Sequence, residues 1–145
     1  MRTALVERPL DCGVLLRELA DPRYGATALF VGTVRSLNEG REVTSIEYTA
    51  YPEMAIREMG TILDEAEQRY EGCALVAEHR MGLLSVGEAS IAIVAAHQHR
   101  SRALDALRYA IDEIKTRVPI WKREYYADGS TSWVDPTQIA GESPR

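Results

Sequence analysis

The chain has two lysines, Lys115 and Lys122, and both lie in one short segment, residues 112–124, on either side of Pro119. The remaining 15 of its 17 basic residues are arginines. Arginine stays charged at any working pH, whereas a lysine can lose its proton in suitable surroundings and then act as a base or a nucleophile. Two amines held close together lower each other's pKa, which favours such chemistry near neutral pH. The alternative is a compositional accident in an arginine-rich chain.

Arg35, His99 and Arg100 are candidate ligands for an anion. Arg35 ends a predicted strand beside Gly32 and Thr33, and His99 and Arg100 begin a long predicted helix. The unpaired N–H groups at a helix N-terminus favour an anion such as phosphate. The alternatives are a solvated arginine at a strand end and a histidine that is exposed or merely caps the helix.

The sequence lacks the signatures of the common metal and nucleotide sites. His97 and His99 share a predicted strand face and could bind a metal, but no cysteine or carboxylate stands nearby to complete the ligand set. Neither a Walker loop, nor a dinucleotide-binding glycine motif, nor the zinc-protease and serine-hydrolase motifs occur. We therefore predict neither a metal nor a cofactor.

Size and composition favour one domain with no nucleic-acid or membrane partner. The chain has 145 residues, a net charge of −5 and no basic run that would suit a nucleic acid. Cys12 and Cys73 show no disulfide or zinc spacing, which is typical of a reduced cytoplasmic protein. No signal peptide is recognised at the start, and the longest apolar run, residues 89–96, is too short to span a bilayer. We expect a single cytoplasmic domain over residues 1–135 and a polar tail over residues 136–145.

Apolar periodicity and turn signals predict an α+β fold with three main helices and a mainly antiparallel sheet. The helices are predicted over residues 11–20, 52–70 and 99–118. The strands are predicted over residues 3–7, 26–35, 43–51, 73–80, 89–97, 121–126 and 131–134. Asp11 and Pro52 suit helix starts, and Pro119 ends the third helix.

Several expectations concern packing. Residues 26–35 are predicted to form a largely buried strand with a bulge or a close backbone approach at Gly32. This strand is expected to pair with residues 43–51 in a long hairpin whose tip, residues 36–40, is exposed and mobile. The inward-facing stripes of the helices are expected to include Val14, Leu15 and Leu19, then Met54, Ile56, Met59, Ile62, Leu63 and Ala66, then Leu104, Leu107, Ile111, Ile114 and Val118.

The length of the third helix constrains any site that uses both of its ends. Arg100 and Lys115 are separated by fifteen residues, which corresponds to roughly 22 Å of helical rise. A small ligand does not reach both ends within one chain. If both ends serve one site, that site is shared between two copies in a two-fold dimer.

With these residues in view, the sequence resembles the large, catalytic subunit of molybdopterin synthase from about Thr3 to Val134. The segment around the two lysines is the most specific part of the likeness. The motifs that carry it are Gly32-Thr33-Val34-Arg35, Glu47-Tyr48, Tyr51-Pro52-Glu53-Met54, His79-Arg80-Met81-Gly82, His99-Arg100-Ser101 and Lys115-Thr116-Arg117-Val118-Pro119-Ile120-Trp121-Lys122-Arg123-Glu124.

The resemblance implies a sulfurtransferase of molybdenum cofactor biosynthesis with the large-subunit α/β hammerhead fold. Members of that family form a homodimer that binds a ubiquitin-like small subunit at each end, giving a heterotetramer. The small subunit ends in a Gly-Gly thiocarboxylate, and its sulfur is transferred to cyclic pyranopterin monophosphate to make the molybdopterin dithiolene. By this resemblance Lys115 and Lys122 are the catalytic candidates. The implied substrate-binding set is Thr33, Val34, Arg35, His99, Arg100, Lys115, Lys122, Arg123 and Glu124.

The residues by themselves leave two other interpretations open. One is a dimeric, noncatalytic module that binds a phosphate or a nucleotide through its arginines. The other is a scaffold protein in which the Lys115 segment merely stops a helix. The sequence also departs from the family after Trp133-Val134, where Asp135-Pro136-Thr137-Gln138 stands in place of an expected basic pocket residue and Arg145 is the next basic residue.

Overall fold

The computed structural model describes residues 1–134, so the predicted tail over residues 136–145 lies outside the described residues. The helices are α1 (Cys12–Glu18), α2 (Pro52–Arg69) and α3 (Arg100–Arg117). The strands are β1 (Arg2–Val6), β2 (Ala26–Thr33), β3 (Leu37–Asn38), β4 (Arg41–Ala50), β5 (Ala74–Arg80), β6 (Gly82–Ser85), β7 (Ala89–His97), β8 (Ile120–Tyr126) and β9 (Thr131–Val134). None of these helices is long and apolar enough to cross a membrane.

The first sheet has the strand order β1-β5-β7-β2, with β1 parallel to β5 and the other pairs antiparallel. Its central strand β7 is almost entirely apolar, and β5 is apolar from Ala74 to Ala77, because both faces of these strands are covered. One face packs on α2 and α3 through Leu75 and Ile93, and the other packs on α1 through Val76 and Val94. The prediction of an α+β fold with mainly antiparallel pairing is confirmed.

The second sheet is built on the long antiparallel pair of β4 and β8, to which β9 adds on the far side of β8. The strands β3 and β6 pair with successive stretches of the other edge of β4. Val43, Ile46, Leu84 and Tyr126 form a small core here with Val34. β6 lies where the sequence predicted only a connection between strands. It was overlooked because four residues are too few to show a clear alternation of apolar and polar side chains.

The predicted hairpin between residues 26–35 and 43–51 is wrong. β2 pairs with β7, while β4 pairs with β8 and β6, so the two strands belong to different sheets. β2 ends the first sheet within the described part of the chain, and Leu29 and Val31 on its outer face are 38% and 36% exposed. The prediction of a largely buried strand is therefore wrong. β-forming residues indicate that a segment forms a strand, but they do not indicate whether that strand lies at the centre or at the edge of a sheet.

Gly32 produces the predicted irregularity. The register of β2 against β7 shifts between Gly32 and Thr33, and a Cβ on Gly32 would lie 2.9 Å from Cγ2 of Ile91. The bulge ends the strand at Thr33, two residues earlier than predicted. Val34 then turns inward, is 2% exposed, and leads the chain into the second sheet.

Residues 36–40 were predicted to be an exposed loop, but they contain a short strand and a tight turn. Leu37 and Asn38 form β3, and Glu39 (φ 52°) and Gly40 (φ 77°) make the two-residue turn into β4. Two positive φ values in a row are typical of a type I′ hairpin turn. Leu37 faces outward and is 59% exposed, whereas Asn38 is buried at 9%. The turn therefore delivers one polar side chain into the interior.

The helices begin as predicted, and most residues predicted to face inward are buried: Leu15, Met59, Ile62, Leu63, Ala66, Ile111, Ile114 and Val118. The Asp11 side chain accepts a hydrogen bond from the Val14 amide and caps α1, and Pro52 stands in the first turn of α2. Val14, Met54, Ile56 and Leu104, all predicted to face inward, are exposed. In α3 the buried stripe consists of Ala103, Ala106, Ala110, Ile111 and Ile114. Small side chains let the helix lie close to the sheet, and a search for large apolar residues overlooks them.

Arg117 fixes the C-terminal end of α3 to α2. Its guanidinium lies 2.6 Å from Glu65, 2.8 Å from Glu58 and 3.2 Å from Glu113. The hydrogen bond to Glu65 contributes most to raising the pKa of Arg117 above its already high value. Pro119 follows, and β8 begins at Ile120, so the anchored helix end also sets where β8 starts.

We predict that Arg117→Leu destabilises the chain by about 1–2 kcal/mol at low salt, because three neighbouring carboxylates lose their shared cation. Urea unfolding measures this free energy. The control is Arg108→Leu, at an exposed position of the same helix. The difference between the two variants should shrink at high salt, since Arg117 is partly exposed. Equal stability of the two variants at low salt would contradict the anchoring role.

Candidate functional site

Lys122 lies on the inner face of β8. Side chains alternate along the strand, and Ile120, Glu124 and Tyr126, which share the parity of Lys122, are buried. The cross-strand partner of Lys122 on β4 is Tyr48. Because directly opposed residues share one face of a sheet, Lys122 and Tyr48 are neighbours on the side that faces the interior.

Tyr48 lies between Lys122, its cross-strand partner, and His79, whose ring it contacts. The Tyr48 ring makes an edge contact with the ring of His79 on β5, with centroids 5.1 Å apart. Lys115, in the last turn of α3, lies close enough for its charge to act on His79 and lower the pKa of that imidazole. The two lysines of the chain thus approach the Tyr48–His79 pair from different elements.

His79 is a neutral histidine in this site. Burial is the main cause that lowers its pKa to about 4, the charge of Lys115 lowers it further, and the bond to Arg80 opposes both. Nδ1 of His79 lies 2.9 Å from the carbonyl oxygen of Arg80, so Nδ1 carries the proton and donates. Nε2 is then the unprotonated nitrogen, and the ring adds no positive charge beside the lysines.

Glu124 supplies a buried carboxylate on the same face as Lys122. Glu124 is 3% exposed. Its carboxylate accepts hydrogen bonds from Nδ2 of Asn38 at 2.9 and 3.0 Å and from the Tyr126 hydroxyl at 3.0 Å. Burial is the main cause that raises the pKa of Tyr48, and the charge of Glu124 adds to it. The carboxylate therefore sits within electrostatic reach of the ring that separates the lysines.

Arg35 is connected to this cluster through Asn38. The residue is exposed just beyond the end of β2, and its Nη2 lies 3.4 Å from Oδ1 of Asn38, a long hydrogen bond. Of its predicted companions, Thr33 is exposed at the strand end and Val34 is buried in the small core. The backbone of Val34 therefore anchors the arginine that follows it.

Arg123 lies on the opposite face of β8 from Lys122. Its guanidinium stands over the rings of Tyr125 and Trp133, 5.3 and 5.6 Å from their centroids. Its Nε is buried and has no hydrogen-bond partner among residues 1–134. The structure therefore does not bring Arg123 into contact with the inner face that carries Lys122 and Glu124, although all three were predicted together.

His99 and Arg100 stand at the other end of α3 from Lys115, roughly 22 Å away by helical rise. Both side chains are exposed, and the His99 side chain makes no capping hydrogen bond. Its backbone amide instead donates to Nδ1 of His97 at 2.9 Å, and Nε2 of His97 contacts the Glu71 carbonyl at 3.1 Å. Both ring nitrogens of His97 therefore make hydrogen bonds to backbone groups. No three His, Cys, Asp or Glu side chains gather as metal ligands anywhere in residues 1–134.

Comparison with known proteins decides the family. The family model described as MoaE protein matches residues 5–117, more than half of the chain. This chain belongs to the MoaE family. The predicted resemblance is thereby confirmed, and the matched segment includes Lys115, His99 and Arg35, whereas Lys122 and Glu124 lie beyond its end.

Relatives of this MoaE chain are named as catalytic subunits. The molybdopterin synthase catalytic subunit of Drosophila willistoni is 44% identical over 131 residues, and catalytic subunit 1 of Mycobacterium tuberculosis is 39% identical over 130 residues. These matches cover 89% and 90% of the chain. The chain spans about a third of the length of the Drosophila relative, 35%, but 88% of the mycobacterial one.

Solved structures share the MoaE fold described above. The X-ray structure of molybdopterin synthase from Staphylococcus aureus has a TM-score of 0.86 at 31% identity, covering 90% of this chain and 95% of that chain. A complex of subunits 1 and 2 of the molybdopterin-converting factor from Helicobacter pylori has a TM-score of 0.74 at 22% identity, covering 92% and 88%. At that identity the second likeness concerns the fold alone.

Sequence reasoning overlooked three residues of the cluster. Tyr48 and His79 stand in two of the motifs that carried the resemblance, but neither had a role, because the pairing of β4 with β8 was not predicted. Asn38 was assigned to an exposed loop. The available signal was Gly40 at the second position of a two-residue hairpin turn, which would have placed Asn38 in a strand.

His79 predicts a pH dependence of stability. A histidine whose pKa is lowered from 6.5 to about 4 in the folded state contributes stability that is complete above pH 6.5 and is lost as the pH falls towards 4. We expect His79 to account for about 2 kcal/mol of lost unfolding free energy between about pH 7.5 and about pH 5.

The measurement is urea unfolding of the wild type and of His79→Phe at both pH values. Phenylalanine keeps a ring against Tyr48 but does not titrate, so the variant should lose less stability on acidification. His97 and His99 are present in both proteins and cancel in the comparison. An equal loss in both proteins would show that His79 is not held neutral.

Proposed function

We propose that this chain is the catalytic subunit of a molybdopterin synthase. It would transfer sulfur from the C-terminal thiocarboxylate of a ubiquitin-like small subunit to cyclic pyranopterin monophosphate and so form the molybdopterin dithiolene. The observation that carries the proposal is the approach of Lys115 and Lys122, the two lysines of the chain, to the buried His79 and the half-buried Tyr48 that contacts it.

The residues suit a reaction whose nucleophile comes from elsewhere. A thiocarboxylate is already a good sulfur nucleophile, so the enzyme has to supply positioning, proton transfer and charge stabilisation. The thiol of Cys73 does not compete, because the residue is buried and burial raises its pKa to about 11. A protonated thiol is a poor nucleophile.

Each lysine has a proposed role. Lys115 meets the thiocarboxylate and carries protons during sulfur attack, and Lys122 stabilises or protonates the pterin intermediate. The neutral imidazole of His79 lets both amines approach without a third positive charge. Glu124 lies on the inner face beside Lys122 and supplies a charge opposite to that of a protonated amine.

The pterin phosphate is proposed to bind between two copies of the chain. Arg35 would contribute from one copy, and His99 and Arg100 would contribute from the N-terminal end of α3 in the other. A helix N-terminus suits a phosphate, and α3 is too long for one copy to offer both of its ends. A two-fold homodimer with a small subunit at each end gives the heterotetramer expected for the family.

An aromatic pocket is the proposed docking place of the small subunit. Thr49, Ala50, Tyr51, Trp121 and Trp133 line a cavity of about 400 Å³. Tyr51 and Trp133 are 67% and 56% exposed, an unusual exposure for large aromatic side chains. Thr49, Trp121 and Trp133 share the face of the sheet that carries Arg123, which is opposite to the face of Lys122. A C-terminal tail bound in this pocket therefore reaches the lysines by passing the end of β8 at Pro119, two residues before Trp121. The H. pylori complex joins subunits 1 and 2 of a related converting factor.

The test is product formation with thiocarboxylated small subunit and cyclic pyranopterin monophosphate. Lys115→Arg keeps the charge but removes an amine that can exchange protons, so we expect product formation to fall by at least about 100-fold. The control is Arg108→Lys, the reverse exchange at an exposed position of the same helix. Near-normal product formation by Lys115→Arg would disprove the proton-transfer role.

A binding assay separates the synthase from a noncatalytic phosphate-binding module. A synthase retains a ubiquitin-like protein that ends in Gly-Gly, whereas a simple phosphate- or nucleotide-binding module has no use for that partner. Loss of this binding in Trp133→Ala, with an unchanged far-UV spectrum, would place the contact in the aromatic pocket. If the wild type bound phosphate compounds but no such partner, the synthase proposal would fail.

A further inference from the structure

Asn38 forms a bridge between a buried anion and an exposed cation. Its Nδ2 donates to both carboxylate oxygens of Glu124, at 2.9 and 3.0 Å, and its Oδ1 accepts from Nη2 of Arg35 at 3.4 Å. The orientation of the amide is dictated by its partners, because a carboxylate only accepts and a guanidinium only donates. Asn38 is 9% exposed, so the bridge begins in the interior at Glu124 and ends at the exposed Arg35 side chain.

The backbone of the hairpin holds this amide in place. Asn38 pairs with Arg41 across the two-residue turn, and the positive φ values of Glu39 and Gly40 fix the direction of β3. On the other side of the bridge, Glu124 is held by the Tyr126 hydroxyl at 3.0 Å. The Tyr126 ring in turn lies under the guanidinium of Arg41, 3.5 Å from the ring centroid. The carboxylate is therefore tied to the hairpin directly through Asn38 and indirectly through Tyr126 and Arg41.

We propose that Asn38 is a positioning residue that orients Arg35 towards the anionic substrate without neutralising it. This inference rests on the proposed function, in which Arg35 binds the pterin phosphate. An amide can hold a guanidinium by one hydrogen bond and leave its charge available. A carboxylate at the same place would form an ion pair with Arg35 and compete with the phosphate.

Glu124 strengthens the bridge from a distance. A hydrogen bond to an ionised group is shorter and stronger than a neutral one, and chains of such bonds polarise one another. The negative charge of Glu124 polarises the Asn38 amide, so that Oδ1 becomes a better acceptor for Arg35. The substrate-binding arginine is thus coupled to the face of β8 that carries Lys122, although Glu124 itself touches Asn38 and not Arg35.

The main test is Asn38→Asp, which keeps the size of the side chain and replaces the neutral amide with a carboxylate. We expect the KM for cyclic pyranopterin monophosphate to rise about tenfold while kcat changes little, because the new carboxylate competes with the substrate phosphate for Arg35 and saturating substrate overcomes this competition. The exposed Leu37 of the same strand provides the control variant, Leu37→Ala. A merely structural role would lower the melting temperature without this split.

A double-mutant comparison identifies the group through which Asn38 acts. If Asn38 works through Arg35, Asn38→Asp should add almost nothing to the KM of Arg35→Ala. Additive effects of the two substitutions, or an unchanged KM in Asn38→Asp, would overturn the inference.

A second measurement does not depend on turnover. Crystal structures of the wild type and of Asn38→Ala, in one crystal form and without substrate, should differ in the Arg35 guanidinium, which loses its fixed place in the variant. If the wild type makes no product, the proposed function fails, and this comparison still decides the role of Asn38. An Arg35 guanidinium in the same place in both structures would overturn the inference.

Discussion

The packing of α3 against the first sheet is the constraint on which the rest of the site depends. Three alanines, Ala103, Ala106 and Ala110, let the helix lie close to β7, and Ile111 and Ile114 complete its buried stripe. Small residues at a helix–sheet contact leave little freedom in position. The helix therefore fixes the distance between Lys115 at its C-terminal end and His99 and Arg100 at its N-terminal end. Its length, roughly 22 Å between these groups, makes two copies of the chain necessary for one site that uses both ends.

The two lysines lie in surroundings of different charge. Near Lys115 stands a histidine that burial keeps neutral, and near Lys122 stands the carboxylate of Glu124, held by Asn38 and Tyr126. Tyr48 lies between these two environments and touches His79. The site therefore offers one amine beside a neutral acceptor and one beside an anion. Groups in such different surroundings are suited to different steps of one reaction.

Much of the fold was predictable because local signals agreed with the tertiary structure. Asp11, Pro52 and Pro119 marked helix ends correctly, and residues 89–97 and 131–134 form strands with the predicted bounds. Pairing was not predictable, because β2 and β4 are neighbours in sequence but belong to different sheets. Helix orientation was misjudged at Val14, Met54 and Leu104, where large apolar residues face outward and alanines face inward. The lysines were singled out by their rarity and stay a prediction, whereas Asn38 and His79 join their surroundings only through long-range contacts that no local pattern contains.

The most direct test of the account is complementation between two inactive variants, Lys115→Ala and Arg100→Ala. Each variant alone should make little product with thiocarboxylated small subunit and the cyclic pterin. If each site combines Lys115 of one copy with Arg100 of another, dimers reassembled from an equal mixture should regain about a quarter of the wild-type activity, since half of the dimers are mixed and each has one intact site. Activity of the mixture no higher than that of the separate variants would contradict a site shared between two copies.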